Sequence, residues 1–301
     1  MDLSGTVVPM ATPIDGTGQG IDENTLADFT RTLIDGGVDG LFPGSSIGEF
    51  SSLSAADHEA VVRTVTASAD GDTTVLAGCC GTSVADVRTK LETAADAGAD
   101  AAVVVSPYYL NTTQRGLARF FTMIADESPL PLLLYNIPGL TGNEIAVDTV
   151  AALAEHDAIA GLKDTSGDLI YQHRVIEATP ESFAVFNGMT ATAAPSLDVG
   201  IDGLIAGPAN VFPEALAELY AAHDRGDDRT VTRLTRDLVM PLVSAYQDLP
   251  TAAAIKYLVQ LEGLDLGEPL PPLAPLSSEQ RGRLEACHRD IVETLDVSVV
   301  K

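Results

Sequence analysis

Asp35-Gly-Gly-Val-Asp-Gly-Leu41, Asp96-Ala-Gly-Ala-Asp-Ala-Ala102 and Asp198-Val-Gly-Ile-Asp-Gly-Leu204 are three copies of one phrase, Asp-x-Gly-x-Asp followed by an apolar run. A glycine at the third place can take the left-handed conformation that ends a helix, so each copy reads as a helix stop feeding a strand. Three uses of one junction point to a supersecondary unit repeated along the chain. Short apolar runs recur around these copies, at Thr6–Val8, Gly40–Phe42, Thr74–Ala77, Ala101–Val105, Leu132–Tyr135, Ile159–Lys163, Phe183–Phe186 and Gly203–Ile205. They do not alternate with polar residues, as expected of parallel strands covered on both faces. Helical stretches lie between them, predicted over Glu23–Asp35, Ala55–Ala69, Val84–Ala97, Leu117–Asp126, Val147–Glu155, Asp168–Glu177, Thr190–Asp198 and Pro213–Asp224, with Ser54 and Ser83 as N-caps.

Eight units of about 28 residues would end near residue 226, a comfortable length for a strand and its crossover helix. The remainder reads as helix over 227–262 with a break near Pro250. The proline-rich stretch Glu268-Pro-Leu-Pro-Pro-Leu-Ala-Pro275 then leads to a final helix from Ser278 to Leu295. The predicted fold is therefore α/β, a (β/α)8 TIM barrel over 1–226 with a C-terminal three-helix extension over 227–301. A doubly wound open sheet is the alternative, weakened by the lack of a Gly-x-Gly-x-x-Gly turn after the first strand.

Composition narrows the function classes. The chain has 301 residues, 46% of them hydrophobic, which excludes wholesale disorder. A formal charge of −26 repels phosphate backbones and anionic lipid, so neither nucleic acid nor membrane is an expected partner. Its four lysines (Lys90, Lys163, Lys256 and Lys301) and many aspartates suggest a surface suited to concentrated salt, where self-repulsion is screened over about 3 Å at 1 M. An acidic enzyme of an ordinary cell is the alternative. Cys79, Cys80 and Cys287 have no metal-ligand spacing and fit free thiols in a reducing compartment. No signal peptide or membrane span is evident, so a cytoplasmic location is expected.

In such a barrel the chemistry gathers where strands end in loops at the carboxyl face. The strand exits carry Gly44-Ser-Ser-Ile-Gly-Glu49, Ser106-Pro-Tyr-Tyr109, Tyr135-Asn-Ile-Pro138, Lys163-Asp-Thr165, Asn187-Gly188 and Gly207-Pro-Ala-Asn210. Lys163 ends an apolar run, where desolvation disfavours its charged form and leaves an amine able to condense with a ketone. The alternative is a buried stem whose ammonium reaches water or pairs with Asp164 or Asp168. Lys256 is a second lysine in apolar company, explained adequately by a helix face. Tyr135 could relay a proton or simply pack. The serine loop could supply a hydroxyl and free amides for a carboxylate, or be a plain tight turn. His58, His156, His173, His223 and His288 share no motif and read as solvated or capping residues.

Together, Gly44-Ser-Ser-Ile-Gly-Glu49, Leu134-Tyr-Asn-Ile-Pro138 and Gly161-Leu-Lys-Asp-Thr165 resemble the dihydrodipicolinate synthase and N-acetylneuraminate lyase superfamily of class I pyruvate aldolases. The likeness runs nearly the full length. It implies a barrel with three extra helices, usually a homotetramer, with no metal or other cofactor. It makes Lys163 the Schiff-base lysine, Tyr135 the proton shuttle and Ser46 the hydroxyl that orients the phenol. Ile47 would hold the keto-acid carboxylate through its amide, and Thr165, Gly188 and Ile205 would line the substrate. Tyr109 matches an aromatic that in some relatives reaches a neighbouring subunit's site. The loop departs from the family pattern, because Ile47 replaces a hydroxyl residue and the register differs by one.

Synthases of the family place an arginine shortly after the tyrosine strand, where this chain reads Pro138-Gly-Leu-Thr-Gly142. Phe186-Asn-Gly188 and Asp265-Leu-Gly-Glu-Pro-Leu-Pro-Pro-Leu-Ala-Pro-Leu276 look more like archaeal 2-keto-3-deoxygluconate aldolases. The expected activity is reversible cleavage of 2-keto-3-deoxygluconate or its 6-phosphate to pyruvate and glyceraldehyde or its 3-phosphate. Arg115 and Arg119 are the candidates for gripping a phosphate, or else exposed helix residues. The competing readings are another pyruvate-dependent lyase or synthase, a keto-deoxy-sugar-acid dehydratase, and a non-catalytic keto-acid-binding regulator.

Overall fold

The computed structural model describes residues 3–18, 20–69, 71 and 73–295. Eight parallel strands, β1 (Gly5–Pro9), β2 (Gly40–Phe42), β3 (Thr74–Gly78), β4 (Ala101–Val105), β5 (Leu132–Asn136), β6 (Ile159–Asp164), β7 (Ala184–Asn187) and β8 (Gly203–Ile205), pair in chain order. The circle closes where β1 meets β8, with Val7 opposite Ile205. Around it run α1 (Glu23–Asp35), α2 (Ala55–Ala69), α3 (Val84–Ala97), α4 (Gln114–Ala125), the short α5 (Pro138–Thr141), α6 (Val147–Ala154), α7 (Leu169–Ala178), α8 (Ala193–Asp198) and α9 (Pro213–Asp224). The barrel is the expected one, and the open sheet is excluded.

The repeated phrase does two jobs. Gly37, Gly98 and Gly200 have φ of 78°, 88° and 96°, so each stops a helix in the left-handed region. The second aspartate of each copy then ties neighbouring strands together at the amino end of the barrel. Asp39 accepts from the Thr6 amide at 2.7 Å, Asp100 from Val75 at 2.8 Å and Asp202 from Val185 at 2.7 Å. In each case a carboxylate just before one strand satisfies a donor in the strand before it, which aligns the pair.

Alternation along the strands sorts side chains into two cores. Ala102, Val104, Leu132, Leu134, Leu162 and Val185 face the helices. Val103, Val105, Leu133, Tyr135, Phe186 and Ile205 fill the barrel interior. Lys163 lies opposite Tyr135 on one side and Phe186 on the other, so register places it on the interior face as well.

Two predicted boundaries shift by more than one residue, for local reasons. Helix α4 begins at Gln114 rather than Leu117, because the Thr113 hydroxyl accepts from the Gly116 amide at 3.2 Å and caps an earlier start. The stretch predicted as helix from Thr190 opens as a 3₁₀ turn, Thr190–Thr192, before α8. There the Asn187 side chain accepts from the Met189 amide at 2.6 Å and donates to the Thr192 hydroxyl at 3.2 Å, tightening the first turn.

After α9 the chain continues as α10 (Asp228–Leu234), a π turn over Thr235–Val239 and α11 (Met240–Tyr246), then α12 (Thr251–Leu261) and α13 (Ser278–Leu295). Pro241 has no amide to give to the preceding turn, and the widened π turn sits just ahead of it. Pro250 is the N-cap of α12, at the predicted break. No helix of the described residues is long and apolar enough to cross a membrane.

Replacing Asp100 with Ala should leave the buried Val75 amide without its partner and lower stability by about 1–2 kcal/mol, as chemical denaturation would measure. The Asp202→Ala loss should add to it, because the two sites share no partner.

Candidate active site

Lys163 is 4% exposed although it carries an ammonium group. Its Nζ stands 4.0 Å from the centroid of the Tyr135 ring and 5.0 Å from that of Phe42. Neither neighbouring aspartate pairs with it. Asp164 points to the helix side, where it accepts from Asn136 Nδ2 at 2.9 Å, Ser166 Oγ at 2.8 Å and Gln172 Nε2 at 3.1 Å. Burial raises the Asp164 pKa, and these three donors oppose that rise. Asp168 instead caps α7 through the amides of Ile170 and Tyr171. Among the described residues no carboxylate pairs with Lys163.

The lysine opens into a cavity of about 450 Å³ at the carboxyl ends of the strands. Ser46, Ile47, Tyr135, Lys163, Thr165, Gly188 and Ile205 all line it, so seven of the eight residues predicted for the site meet there. Tyr109 is the exception. It stands 91% exposed with φ of 75°, outside the lining. Arg115 and Arg119 are exposed on α4 and do not line the cavity either.

Two local features keep the space beside the amine open. A β-carbon on Gly188 would fall 2.1 Å from Thr165 Oγ1 and 2.8 Å from Lys163 Cε, so only glycine fits against the lysine stem. Thr165 Oγ1 is itself buried without a hydrogen-bond partner, an unusual state for a hydroxyl and one that a ligand in the cavity could relieve.

The serine loop divides its labour. Ser45 is fully buried and structural, accepting from the Gly48 amide at 3.0 Å, and Gly44 has φ of 68°. Ser46 is the serine left facing the cavity. Backbone meets backbone behind the loop, since a β-carbon on Gly78 would fall 2.1 Å from the Gly44 carbonyl oxygen. His58 braces the same place. It is buried, and its Nε2 lies 2.8 Å from the Gly78 carbonyl, which can only accept. Burial holds its pKa below the usual imidazole value. His58 is therefore neither solvated nor a cap, as its sequence context suggested. His288 also departs from that expectation, being buried against Phe212 and paired with Glu262.

Lys256 has a different use. Its Nζ lies 2.6 Å from Glu49 Oε1 and donates to the Glu268 carbonyl at 3.2 Å, with both charged side chains buried. Desolvation lowers the Lys256 pKa, and Glu49 pulls it back up. Glu49, at φ of 58°, closes the serine loop, so this ion pair ties the loop to α12. Sequence reasoning missed the pair, although an acid ending one motif and a lone lysine in an apolar helix were its visible halves. It also missed the contribution of Val243, Tyr246, Leu249 and Ala252 to the cavity wall. Among the described residues no group of three or more His, Cys, Asp or Glu side chains could hold a metal ion.

The buried amine at the carboxyl end of a closed barrel fits a class I, aldolase-like lyase, and sequence relatives put this chain in that class. It belongs to the dihydrodipicolinate synthetase family, whose pattern matches residues 2–290. It is 36% identical over 291 residues to an uncharacterized DapA-like lyase of Halobacterium salinarum, covering 97% of this chain and 95% of that one. It is 36% identical over 272 residues to the 4-hydroxy-tetrahydrodipicolinate synthase of Methanopyrus kandleri, covering 90% of each. The structure of the 4-hydroxy-tetrahydrodipicolinate synthase from Methylacidiphilum fumariolicum superposes with a TM-score of 0.94 at 30% identity, covering 98% of this chain and 97% of that one.

Gly188→Ala should leave the fold intact, since the glycine lies in the cavity lining, but push the Lys163 stem aside. Loss of covalent pyruvate trapping with an unchanged circular dichroism spectrum is the expected result.

Proposed function

We propose that this chain is a Schiff-base aldolase that reversibly cleaves 2-keto-3-deoxygluconate or its 6-phosphate to pyruvate and a three-carbon aldehyde. The observation that carries the reading is a buried lysine amine, without a carboxylate partner among the described residues, against a phenol in a cavity at the carboxyl end of the barrel. An amine so placed can attack the carbonyl carbon of a bound keto acid.

The Lys163 Nζ lone pair adds to C2 of the keto acid, and the resulting hydroxyl takes a proton from solvent and leaves as water, giving an iminium. The C3–C4 bond breaks, its electrons pass to the iminium nitrogen, and the C4 hydroxyl proton is relayed through Tyr135, whose phenol takes it while passing its own proton to water, as the aldehyde departs. The resulting enamine takes a proton from water at C3, and water then adds to the iminium carbon, releasing pyruvate, restoring the amine and returning a proton to solvent. Ser46 orients the phenol, the Ile47 amide holds the carboxylate, and Thr165, Gly188 and Ile205 line the substrate. Because Thr165 Oγ1 has no protein partner, it is suited to bond the keto acid.

Relatives named as synthases make the condensing reaction of that name the nearest rival. Leu140 favours the aldolase, because a leucine cannot make the bidentate contact that an arginine would offer a second carboxylate. We also propose a homotetramer in which Tyr109 reaches a neighbouring chain, in keeping with its 91% exposure. The 1–226 barrel and 227–301 extension are proposed to act as one catalytic body, and the acidic surface to suit concentrated salt.

Borohydride reduction with pyruvate should add a three-carbon adduct at Lys163, detected by peptide mass analysis. The Lys163→Ala variant should show no adduct and no cleavage, and near-wild-type cleavage by it would refute the reading. Tyr135→Phe should retain the adduct while kcat falls by about 10²–10⁴-fold. Melting temperature should rise from salt-free buffer to molar salt, and full stability without salt would count against the halophilic assignment.

A further inference from the structure

The cavity has two dissimilar ends. Beside Lys163 it offers hydroxyls and a glycine. Its outer wall comes from the short α5 and from the C-terminal extension, through Leu140, Val243, Leu249, Pro250, Ala252 and Leu273. Among the described residues of the lining, Lys163 is the one charged side chain. Apart from Ser46, Tyr135, Lys163 and Thr165, the lining side chains that carry a hydroxyl are Thr190, Tyr246 and Thr251. The other buried lysine, Lys256, is held by Glu49 and stands outside this lining.

A charged group placed against that wall would lose water and gain no ion pair, which is costly. Hydroxyls on the same group would find partners in the threonines and the tyrosine. Resting on the Schiff-base reading above, we infer that the aldehyde released or taken up is uncharged and hydroxylated, carrying neither phosphate nor carboxylate. Of the two sugar acids admitted so far, the unphosphorylated one fits. The outer wall is then the specificity determinant, and Leu140, 73% exposed, is the position where it can be altered without disturbing the core.

The test is condensation of pyruvate with glyceraldehyde, glyceraldehyde 3-phosphate and aspartate semialdehyde. Molar salt screens the long-range repulsion of the acidic surface, so the comparison reports the cavity. Glyceraldehyde should show a kcat/KM at least tenfold above either charged aldehyde. Leu140→Arg or Leu273→Arg should raise the charged-to-neutral ratio at least tenfold. Borohydride trapping of pyruvate on the same preparations separates aldehyde choice from Schiff-base chemistry. An adduct at Lys163 without preference for the neutral aldehyde, or a ratio unmoved by both arginine variants, overturns the inference and leaves the Schiff-base site standing. Failure to form the adduct removes the Schiff-base reading and the inference with it.

Discussion

Closure of the sheet is the constraint on which everything else depends. Once β1 pairs with β8, every strand has an inward face, and that interior must be filled by side chains. Register then decides chemistry. Tyr135 and Lys163 stand opposite each other, so a phenol and an amine share an interior layer with Phe42 and Phe186. A shift of one residue in β6 would turn Lys163 toward the helices and put Asp164 inside. The hydrogen bonds from Asn136, Ser166 and Gln172 oppose that slip, because each requires Asp164 on the outer side. The polar network outside the barrel thus holds Lys163 on its inner face.

The fold was legible because its signals are local and repeated. The left-handed glycines at 37, 98 and 200 each follow from a five-residue phrase, and short, near-continuous apolar runs mark strands covered on both faces. The inner site was legible where one residue's surroundings in the sequence already stated its burial, as with Lys163 behind Ile159-Ala-Gly-Leu162. What escaped was non-local. Lys256 is separated from Glu49 by most of the chain, and only folding brings the acid against the amine. His58 sits on an amphipathic helix that reads as ordinary, yet it is buried against the Gly78 carbonyl of another strand. The outer wall of the cavity was invisible for the same reason, since nothing in Val243 or Leu249 marks them as lining the same cavity as Lys163.

The C-terminal extension is accordingly more than a support. It covers one side of an opening that the barrel loops leave incomplete, and the Glu49–Lys256 pair fixes α12 to the loop that carries Ser46 and Ile47. Burying two charges is expensive and repaid only when both are well partnered. Lys256 also donates to the Glu268 carbonyl, and Glu49 accepts from the Leu270 amide, so the proline-rich segment joins the same junction. One buried pair thereby links the β2 exit, α12 and the segment before α13.

These arrangements separate two tasks within one cavity. Glycines at 188 and 207 keep the inner end clear, since a β-carbon at either would press on Lys163 or on Ile47. The inner residues are short or held in strands, which suits a reaction that needs fixed distances. The outer wall is built from helix ends and loops, where substitution disturbs less of the core. A barrel built this way can keep the residues at its strand ends fixed while varying what the outer wall accepts. In this chain that wall is apolar with a few hydroxyls, and its character follows from the same extension that completes the barrel mouth.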